Sequence, residues 1–287
     1  MNVPNDLQKI IDQLEAAEGF KVSNFSSLSG GSINTVYLLK TTSGERVIKL
    51  NKASEFPSMF EAEKEGLEAL RNSNTIDVPE AFSCGTIDFT SYLLLEHKPE
   101  GKPLAEFPRL FAEDLAALHK ISAPDFGFHS SNYIGSLPQY NGKETSASDF
   151  YIHQRIEPQI KMASERGFSF SDLDTIFKNI AAEIPEESPA LIHGDLWSGN
   201  YLVNSEGRPC LIDPAVSYGP REMDLAMMKL FGGFSEEIFR SYQEIFPLEP
   251  GFQKRIPLWQ LYYLLVHLNI FGSSYLSRVK SILNNFS

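Results

Sequence analysis

Cysteine is scarce in this sequence, and basic residues are outnumbered by acidic ones. The chain of 287 residues has only two cysteines, Cys84 and Cys210, which stand far apart without paired spacing. This excludes a disulfide framework and favours a reducing, cytoplasmic compartment. Lys and Arg number 25 against 37 Asp and Glu, which gives a formal net charge of −12. Because this charge repels a phosphate backbone and no basic run offsets it, we expect no nucleic-acid partner.

Long apolar runs are also absent. The longest apolar stretch, residues 258–271, is interrupted by Gln260, His267 and Asn269, and is too short to span a bilayer. Residues 1–6 do not show a basic segment followed by an apolar run, so no secretory signal is expected. The motifs of zinc proteases, α/β-hydrolases and dinucleotide-binding folds are missing too. We therefore expect no membrane partner, and one large domain or two lobes.

The most informative stretch is residues 191–200, with the sequence Leu-Ile-His-Gly-Asp-Leu-Trp-Ser-Gly-Asn. A short apolar strand is predicted to precede a loop that carries Asp195 and, five positions later, Asn200. A hairpin over residues 201–212 then returns the chain and delivers Asp213 at its end. The sequence therefore predicts three oxygen-bearing side chains around one loop.

Phosphoryl transfer requires such a set. A carboxylate receives the proton of the attacking hydroxyl, while carboxylate and amide oxygens hold Mg²⁺ on the phosphates of ATP. We accordingly predict that Asp195 is the catalytic base and that Asn200 and Asp213 are metal ligands. The spacing matches the kinase pattern of an Asp, four residues, an Asn, a hairpin and a metal-binding Asp. A hairpin whose Asp and Asn residues only form turns is the alternative interpretation.

Two departures from the protein-kinase pattern narrow this prediction. Residues 193–195 are His-Gly-Asp instead of His-Arg-Asp, and residues 213–215 are Asp-Pro-Ala instead of Asp-Phe-Gly. Regulation of the protein-kinase type is therefore not expected. The form found here resembles the aminoglycoside and choline phosphotransferases of the kinase-like fold. The longer string 193–200, together with Asp213-Pro214, resembles the fructosamine kinase (ketosamine kinase) family, and this resemblance covers nearly the whole chain.

The resemblance implies an α+β, two-lobed protein-kinase-like fold with a β-rich N-terminal lobe and a mostly helical C-terminal lobe. We expect the lobes at residues 1–97 and 104–287, joined by a connector at 98–103. The sequence patterns also predict strands at 21–28, 35–41, 45–50, 81–86 and 91–96. They predict helices at 6–17, 58–71, 104–121, 148–166, 171–183, 222–231, 235–245 and 252–271.

Two charged residues of the N-terminal lobe are predicted to position ATP. Lys49 lies on one face of the third strand, by two-residue alternation. Glu63 falls inside the apolar arc of the helix predicted at 58–71, whereas Glu61 and Glu65 fall outside it. A carboxylate on an inward face needs a partner, so we predict the Lys49–Glu63 ion pair of kinases. An exposed edge lysine is the alternative interpretation of Lys49.

Two backbone segments are predicted to contact the nucleotide. The loop between the first two strands contains Gly30, Gly31 and Ser32, whose amides could approach phosphates closely. Paired glycines in a hairpin often form only a turn, and the loop lacks both the Walker sequence and the third glycine of protein kinases. Ser32 takes the place of a cysteine found in some family members, so a thiol switch is not expected. In kinase-like folds the connector recognises adenine, which predicts backbone contacts from Glu96 and His97.

The acceptor is predicted to lie beside Trp197, two residues beyond the base, where protein kinases usually have a lysine. An indole at this position favours contact with the carbons of a compact sugar, although packing of the loop alone would also explain it. Residues 122–146 are predicted to be a long irregular segment that borders the acceptor or forms a packed Ω-loop. Asp224 is predicted either to brace the catalytic loop or to be a helix N-terminal carboxylate. His267 is expected in the core or behind the site.

Together these features predict an ATP-dependent kinase, with ATP and Mg²⁺ as cofactors. Its expected substrate, by the resemblance, is the sugar hydroxyl of a ketosamine (fructosamine) or another glycated amine, as in deglycation repair. The protonated amine of such an acceptor suits a protein of net charge −12. Two alternatives remain open. One is a phosphotransferase for an aminoglycoside, choline or another amino alcohol, and the other is a catalytically silent nucleotide-binding protein.

Overall fold

The N-terminal part of the protein is a five-stranded antiparallel sheet with one helix on each face. The computed structural model describes residues 5–28 and 33–287. The strands are β1 (Val22–Leu28), β2 (Thr35–Thr41), β3 (Gly44–Lys52), β4 (Ala81–Ile87) and β5 (Thr90–Glu96). Their spatial order is β1-β2-β3-β5-β4. The helices are α1 (Asn5–Glu18) and α2 (Met59–Asn72).

Alternate residues of the central strands belong to different cores. Leu94 and Ile48 pack beneath α1, whereas Leu93 and Leu95 face α2 and join the large core of the rest of the molecule. The same alternation places Lys49 on the α2 side of the sheet, where it is buried. The pleat of β3 therefore directs this lysine toward the helical part of the chain.

Helices dominate the C-terminal part. They are α3 (Phe107–His119), α4 (Ala147–Tyr151), α5 (Glu157–Glu165), α6 (Leu173–Glu183), α7 (Glu222–Leu230), α8 (Glu236–Ile245), α9 (Phe252–Phe271) and α10 (Leu276–Leu283). Helix α9 lies at the centre, with Leu261, Tyr263, Leu265 and Leu268 almost fully buried. A helix that is apolar on all sides belongs inside a core. Among the described residues, none of the helices has the length and apolar character that a bilayer crossing requires.

Three small antiparallel strand pairs shape the surface of this helical part. They are β6 (Asn132–Ile134) with β7 (Leu137–Gln139), β8 (Ala190–Ile192) with β11 (Ser217–Gly219), and β9 (Tyr201–Val203) with β10 (Pro209–Leu211). The β8–β11 pair and the β9–β10 hairpin fix both ends of the segments 193–200 and 212–216. These two segments carry the residues predicted to be catalytic.

The sheet-rich first part and the helical second part are the α+β architecture that the sequence predicts. Two local predictions are corrected in detail. The segment predicted as one helix over 148–166 is helical from Ala147 to Glu165, but a π-helical turn (Ile152–Ile156) divides it into α4 and α5. Pro158 lies in the first turn of α5, where its missing N–H interrupts the hydrogen-bond ladder. The helix predicted at 104–121 spans only Phe107–His119, with Pro108 in its first turn. The lobe boundaries stay a prediction.

Candidate active site

Gly194 fixes the start of the loop that follows β8. Its φ is +82°, and a Cβ at this position would lie 2.0 Å from the carbonyl oxygen of Ala215. The positive φ and the lack of space for a Cβ both require glycine at this position. The backbone N–H groups of His193 and Gly194 each donate a hydrogen bond to the carboxylate of Asp224, at 2.8 Å. The loop is therefore tied to the first turn of α7.

The side chain of His193 joins this loop to the β9–β10 hairpin. Its Nε2 lies 2.9 Å from the carbonyl oxygen of Ile212, which accepts the hydrogen bond, and its Nδ1 accepts a longer one, at 3.3 Å, from the backbone N–H of Asp195. Complete burial lowers the pKa of the imidazole, which keeps it neutral. His193 thus holds the two segments at a fixed separation.

Asp224 is a fully buried carboxylate with three donors. Besides the two amides, its Oδ2 lies 3.2 Å from Nε2 of His119. Burial alone would raise the pKa of Asp224, but His119, His193 and the amide of Gly194 lower it overall. Of the two roles predicted for Asp224, these contacts support the brace of the catalytic loop.

Six of the predicted residues line one cavity of about 690 Å³ between the sheet and the helices. They are Lys49, Glu63, Asp195, Trp197, Asn200 and Asp213. Nδ2 of Asn200 donates to the backbone carbonyl of Asp195 at 2.9 Å and to its carboxylate at 3.3 Å. Nζ of Lys49 lies 2.6 Å from Glu63 and 2.5 Å from Asp213. The fold therefore brings together side chains that are up to 164 positions apart.

The charges in this cavity influence one another strongly. Burial, and secondarily the charge of Asp213, raises the pKa of Asp195 to about 7, although the hydrogen bond from Asn200 opposes this shift. Burial by itself would lower the pKa of Lys49, but the carboxylates of Asp213 and Glu63 raise it overall, so the lysine is charged. A carboxylate with a pKa near neutrality suits a general base.

Asn200 and Asp213, the residues predicted to hold Mg²⁺, both line the cavity. The amide nitrogen of Asn200 is used by Asp195, and its Oδ1 accepts no hydrogen bond from the described residues. The Asp213 side chain is 46% exposed and adopts a left-handed φ of 55°. Within residues 5–28 and 33–287, no three His, Cys, Asp or Glu side chains converge to hold a metal. Mg²⁺ in kinases needs no such cluster, because phosphate oxygens complete its coordination.

The other predicted nucleotide contacts lie outside this cavity or outside the described residues. Gly30, Gly31 and Ser32 lie outside the described residues. The backbone N–H of Glu96 donates to Glu80 at 2.8 Å, and Nδ1 of His97 lies 2.9 Å from a carboxylate oxygen of Glu45. Neither Glu96 nor His97 lines the cavity. Their backbone contact with adenine stays a prediction.

Trp197 packs against the catalytic loop, and its contact with an acceptor stays a prediction. A Cβ on Gly199 would lie 2.2 Å from the indole, so the ring packs directly against the loop backbone. The side chain is nevertheless 40% exposed and lines the cavity. Residues 132–135, from the segment predicted to be irregular, form another part of the lining.

Sequence reasoning missed one portion of the cavity wall, formed by Phe231, His267 and Phe271. His267 was expected in the core or behind the site, but it is only partly buried and faces the cavity. The pattern of α9 is apolar on all sides, so it does not distinguish a core ring from a cavity ring. A clue in the sequence is that Phe231 and Phe271 each end a predicted helix and stand next to a glycine.

The sequence matches the family model described as fructosamine kinase over residues 6–287. It is 41% identical to a probable ketoamine kinase from Enterococcus faecium, over 90% of this chain and 93% of the relative. It is 34% identical to a chloroplastic protein-ribulosamine 3-kinase from Oryza sativa subsp. indica, over 95% of this chain and 81% of the relative.

Two solved structures have the same fold. One is a crystal structure assigned to fructosamine-3-kinase from Haemophilus somnus, with a TM-score of 0.87 and 30% identity over 96% of both chains. The other is an aminoglycoside phosphotransferase in complex with AMP-PNP and hygromycin B, with a TM-score of 0.63 and 18% identity over 96% of this chain and 98% of that one. The second likeness concerns the fold alone, and it confirms the predicted protein-kinase-like architecture.

Proposed function

The chain belongs to the fructosamine kinase family, and from that premise we propose that it transfers the γ-phosphoryl group of ATP to a sugar hydroxyl of a ketosamine. The observation that carries the proposal is the convergence of Asp195, Asn200, Asp213 and Lys49 on one cavity. This set contains a base, two oxygen ligands and a cation. Direct phosphoryl transfer to a hydroxyl requires these groups.

In this proposal Asp195 orients the acceptor hydroxyl and receives its proton. One of its carboxylate oxygens, Oδ2, accepts a hydrogen bond from Asn200, which leaves Oδ1 for the hydroxyl. Lys49, held by Glu63, contacts the ATP phosphates as a fixed positive charge. Asp213 and Asn200 would hold Mg²⁺, which supplies charge neutralisation to the phosphates when bound. A nearby cation also favours the ionised form of Asp195, which is the form that accepts a proton.

We place this activity in a reducing compartment, the cytoplasm. Both cysteines are free, and Cys210 is buried in the interior. A protein of this size that keeps both of its thiols unpaired suits such a compartment.

Lys49→Ala is expected to raise the KM for ATP and to lower kcat, because the phosphates lose a charged donor. The expected decrease in kcat/KM for ATP is roughly ten- to a hundred-fold, the usual effect of losing a hydrogen bond to a charged group. Steady-state kinetics with ATP as the varied substrate measure it. Lys52→Ala is the matched control, since Lys52 lies on the same strand, is exposed and, among the described residues, pairs only with Glu55. If both variants had wild-type kinetics, Lys49 would not contact the phosphates.

The acceptor class is tested with a panel of fructosyl-lysine, free fructose, choline and kanamycin, each with Mg-ATP. We expect the ketosamine to have the highest kcat/KM, with the phosphate on a sugar hydroxyl near the ketoamine. The margin over free fructose should be at least about ten-fold, because fructose lacks the amine arm. A preference for choline or kanamycin would contradict the ketosamine as the acceptor but would leave the proposed kinase chemistry intact. The absence of acceptor-dependent ATP turnover with every compound of the panel would support a catalytically silent nucleotide-binding protein instead.

A further inference from the structure

One part of the cavity wall is made of aromatic rings. The ring centroid of His267 lies 4.9 Å from that of Phe231, 5.4 Å from Phe271 and 5.1 Å from Tyr275. We call the three of these residues that line the cavity, Phe231, His267 and Phe271, the aromatic wall. Phe231 and Phe271 are 44% and 58% exposed, which is unusual for large apolar side chains that lie together at a cavity. Exposed apolar groups clustered in this way mark a binding surface.

The aromatic wall adjoins the loop that carries Trp197. Gly233 follows Phe231 by two positions and packs so closely on this loop that a Cβ would lie 2.4 Å from the side chain of Ser198. From α9, the hydroxyl of Tyr263 donates to the carbonyl oxygen of Gly194 at 3.0 Å. An acceptor whose sugar lies on Trp197 is therefore next to the aromatic wall.

His267 presents a lone pair in this wall. Its Nδ1 lies 2.7 Å from the carbonyl oxygen of Tyr263, and because a carbonyl only accepts, Nδ1 carries the hydrogen. Burial lowers the pKa of the ring, so Nε2 has no hydrogen at neutral pH. Within the part of the chain that the structure describes, Nε2 has no hydrogen-bond partner. His267 is only partly buried and lines the cavity, so a ligand in the cavity can approach this nitrogen.

The ligand that matches these groups is a protonated amine. The carboxylates among the cavity-lining residues are Glu63, Asp195 and Asp213, which belong to the phosphoryl-transfer set. Near the aromatic wall, a cation is attracted by ring faces and by a lone pair instead. A neutral apolar group would leave Nε2 unpaired, and an anion would be repelled by both features.

We propose that the aromatic wall is the subsite for the protonated amine of the acceptor, and that this amine donates a hydrogen bond to Nε2 of His267. The inference rests on the proposed function, because it assigns a binding site to the amine arm of a ketosamine. The sugar contacts Trp197, and the substituent on the amine extends along Phe231 and Phe271. His267 is thereby a specificity residue, whereas Asp195 performs the proton transfer.

Three acceptors separate the contribution of the positive charge from that of the N–H hydrogen bond. The first is a fructosamine with a secondary alkylamine, the second is its quaternary ammonium analogue, and the third is the ether with oxygen in place of nitrogen. The secondary amine has a charge and an N–H donor, the quaternary analogue has only the charge, and the ether has neither. We expect wild-type kcat/KM to decrease in that order.

His267→Phe keeps an aromatic ring and removes the lone pair. It should lower kcat/KM for the secondary amine by about ten- to a hundred-fold, mainly through KM, and change the values for the other two acceptors little. Phe271→Leu should lower kcat/KM by roughly two- to five-fold for both cations and less for the ether. His153→Phe, at an exposed histidine outside the cavity, is the matched control and should change none of the values. Thermal denaturation verifies that each variant is folded.

Two results would overturn the inference while leaving the proposed function standing. One is that His267→Phe lowers kcat/KM by the same factor for the secondary amine and for the ether, which would indicate a merely structural role of His267. The other is an unchanged preference for the amine in both His267→Phe and Phe271→Leu. If His267→Phe does not fold, Phe271→Leu tests the contact with the rings, and equal wild-type kcat/KM for the secondary amine and the quaternary analogue would contradict the hydrogen bond to Nε2. If the wild-type protein phosphorylates no ketosamine, the proposed function fails, and the inference fails with it.

Discussion

Asp195→Asn is expected to lower kcat by about a thousand-fold, within the range for loss of a general base, while Mg-ATP affinity stays within a few-fold of wild type. An amide cannot take the proton of the acceptor hydroxyl, but it preserves the size and shape of the side chain. Burial raises the pKa of Asp195 to about 7, so the site already disfavours the charge. Replacing the carboxylate with a neutral amide should therefore not destabilise the loop.

Two measurements on the same preparation test this expectation. Turnover with a ketosamine reports the chemical step, and calorimetric titration with Mg-ATP reports nucleotide binding. Asp12→Asn, at an exposed position on α1, makes the same chemical change far from the cavity and should have wild-type turnover. If Asp195→Asn retained most of its turnover, another group would be the base.

Asp213→Ala is expected to lower both Mg-ATP affinity and turnover, the affinity by at least about ten-fold. It removes a charged oxygen ligand, and it also takes from the buried Lys49 one of its two carboxylate partners. Titration with Mg-ATP and with ATP in the presence of a chelator separates these effects. Only the affinity for Mg-ATP should fall, because loss of a negative charge does not weaken the binding of free ATP.

The left-handed backbone of Asp213 requires a second variant. Its φ is 55°, a conformation that Asn tolerates better than Ala does. Asp213→Asn keeps this tolerance and an oxygen atom but removes the charge. We expect it to bind Mg-ATP more tightly than Asp213→Ala and more weakly than the wild type. Normal binding of Mg-ATP by Asp213→Ala would show that the metal is held elsewhere.

The parts of the site that could be predicted from the sequence are those set by local geometry. Asp195, Asn200 and Asp213 lie on one loop and one short hairpin, so their proximity follows from a few turns of the chain. Lys49 and Glu63 come from separate elements. Each nevertheless occupies a definable face, because strands repeat every two residues and helices every 3.6. Because Lys49 and Glu63 both face inward and have opposite charges, an ion pair between them could be predicted.

The parts that could not be predicted depend on how distant elements meet. Phe231 directly follows α7 and Phe271 ends α9, and their common cavity exists only in the folded chain. The strands β6 and β7 have three residues each, too few for an alternating pattern to show. The π-helical turn between α4 and α5 keeps the apolar spacing close to that of one continuous helix. Periodicity alone therefore could not reveal it.

The contact between Lys49 and Asp213 has a thermodynamic consequence. Lys49 belongs to the antiparallel sheet and Asp213 to the helical part, so the proposed phosphate site is shared between two bodies of the molecule, the sheet part and the helical part. A ligand that binds both residues at once favours the relative orientation in which they are a few ångströms apart. By reciprocity, any substitution that shifts the equilibrium between orientations changes nucleotide affinity, even if it touches neither residue. The connector at 98–103 is thus expected to influence ATP binding through the angle between the two bodies as well as through its own contacts.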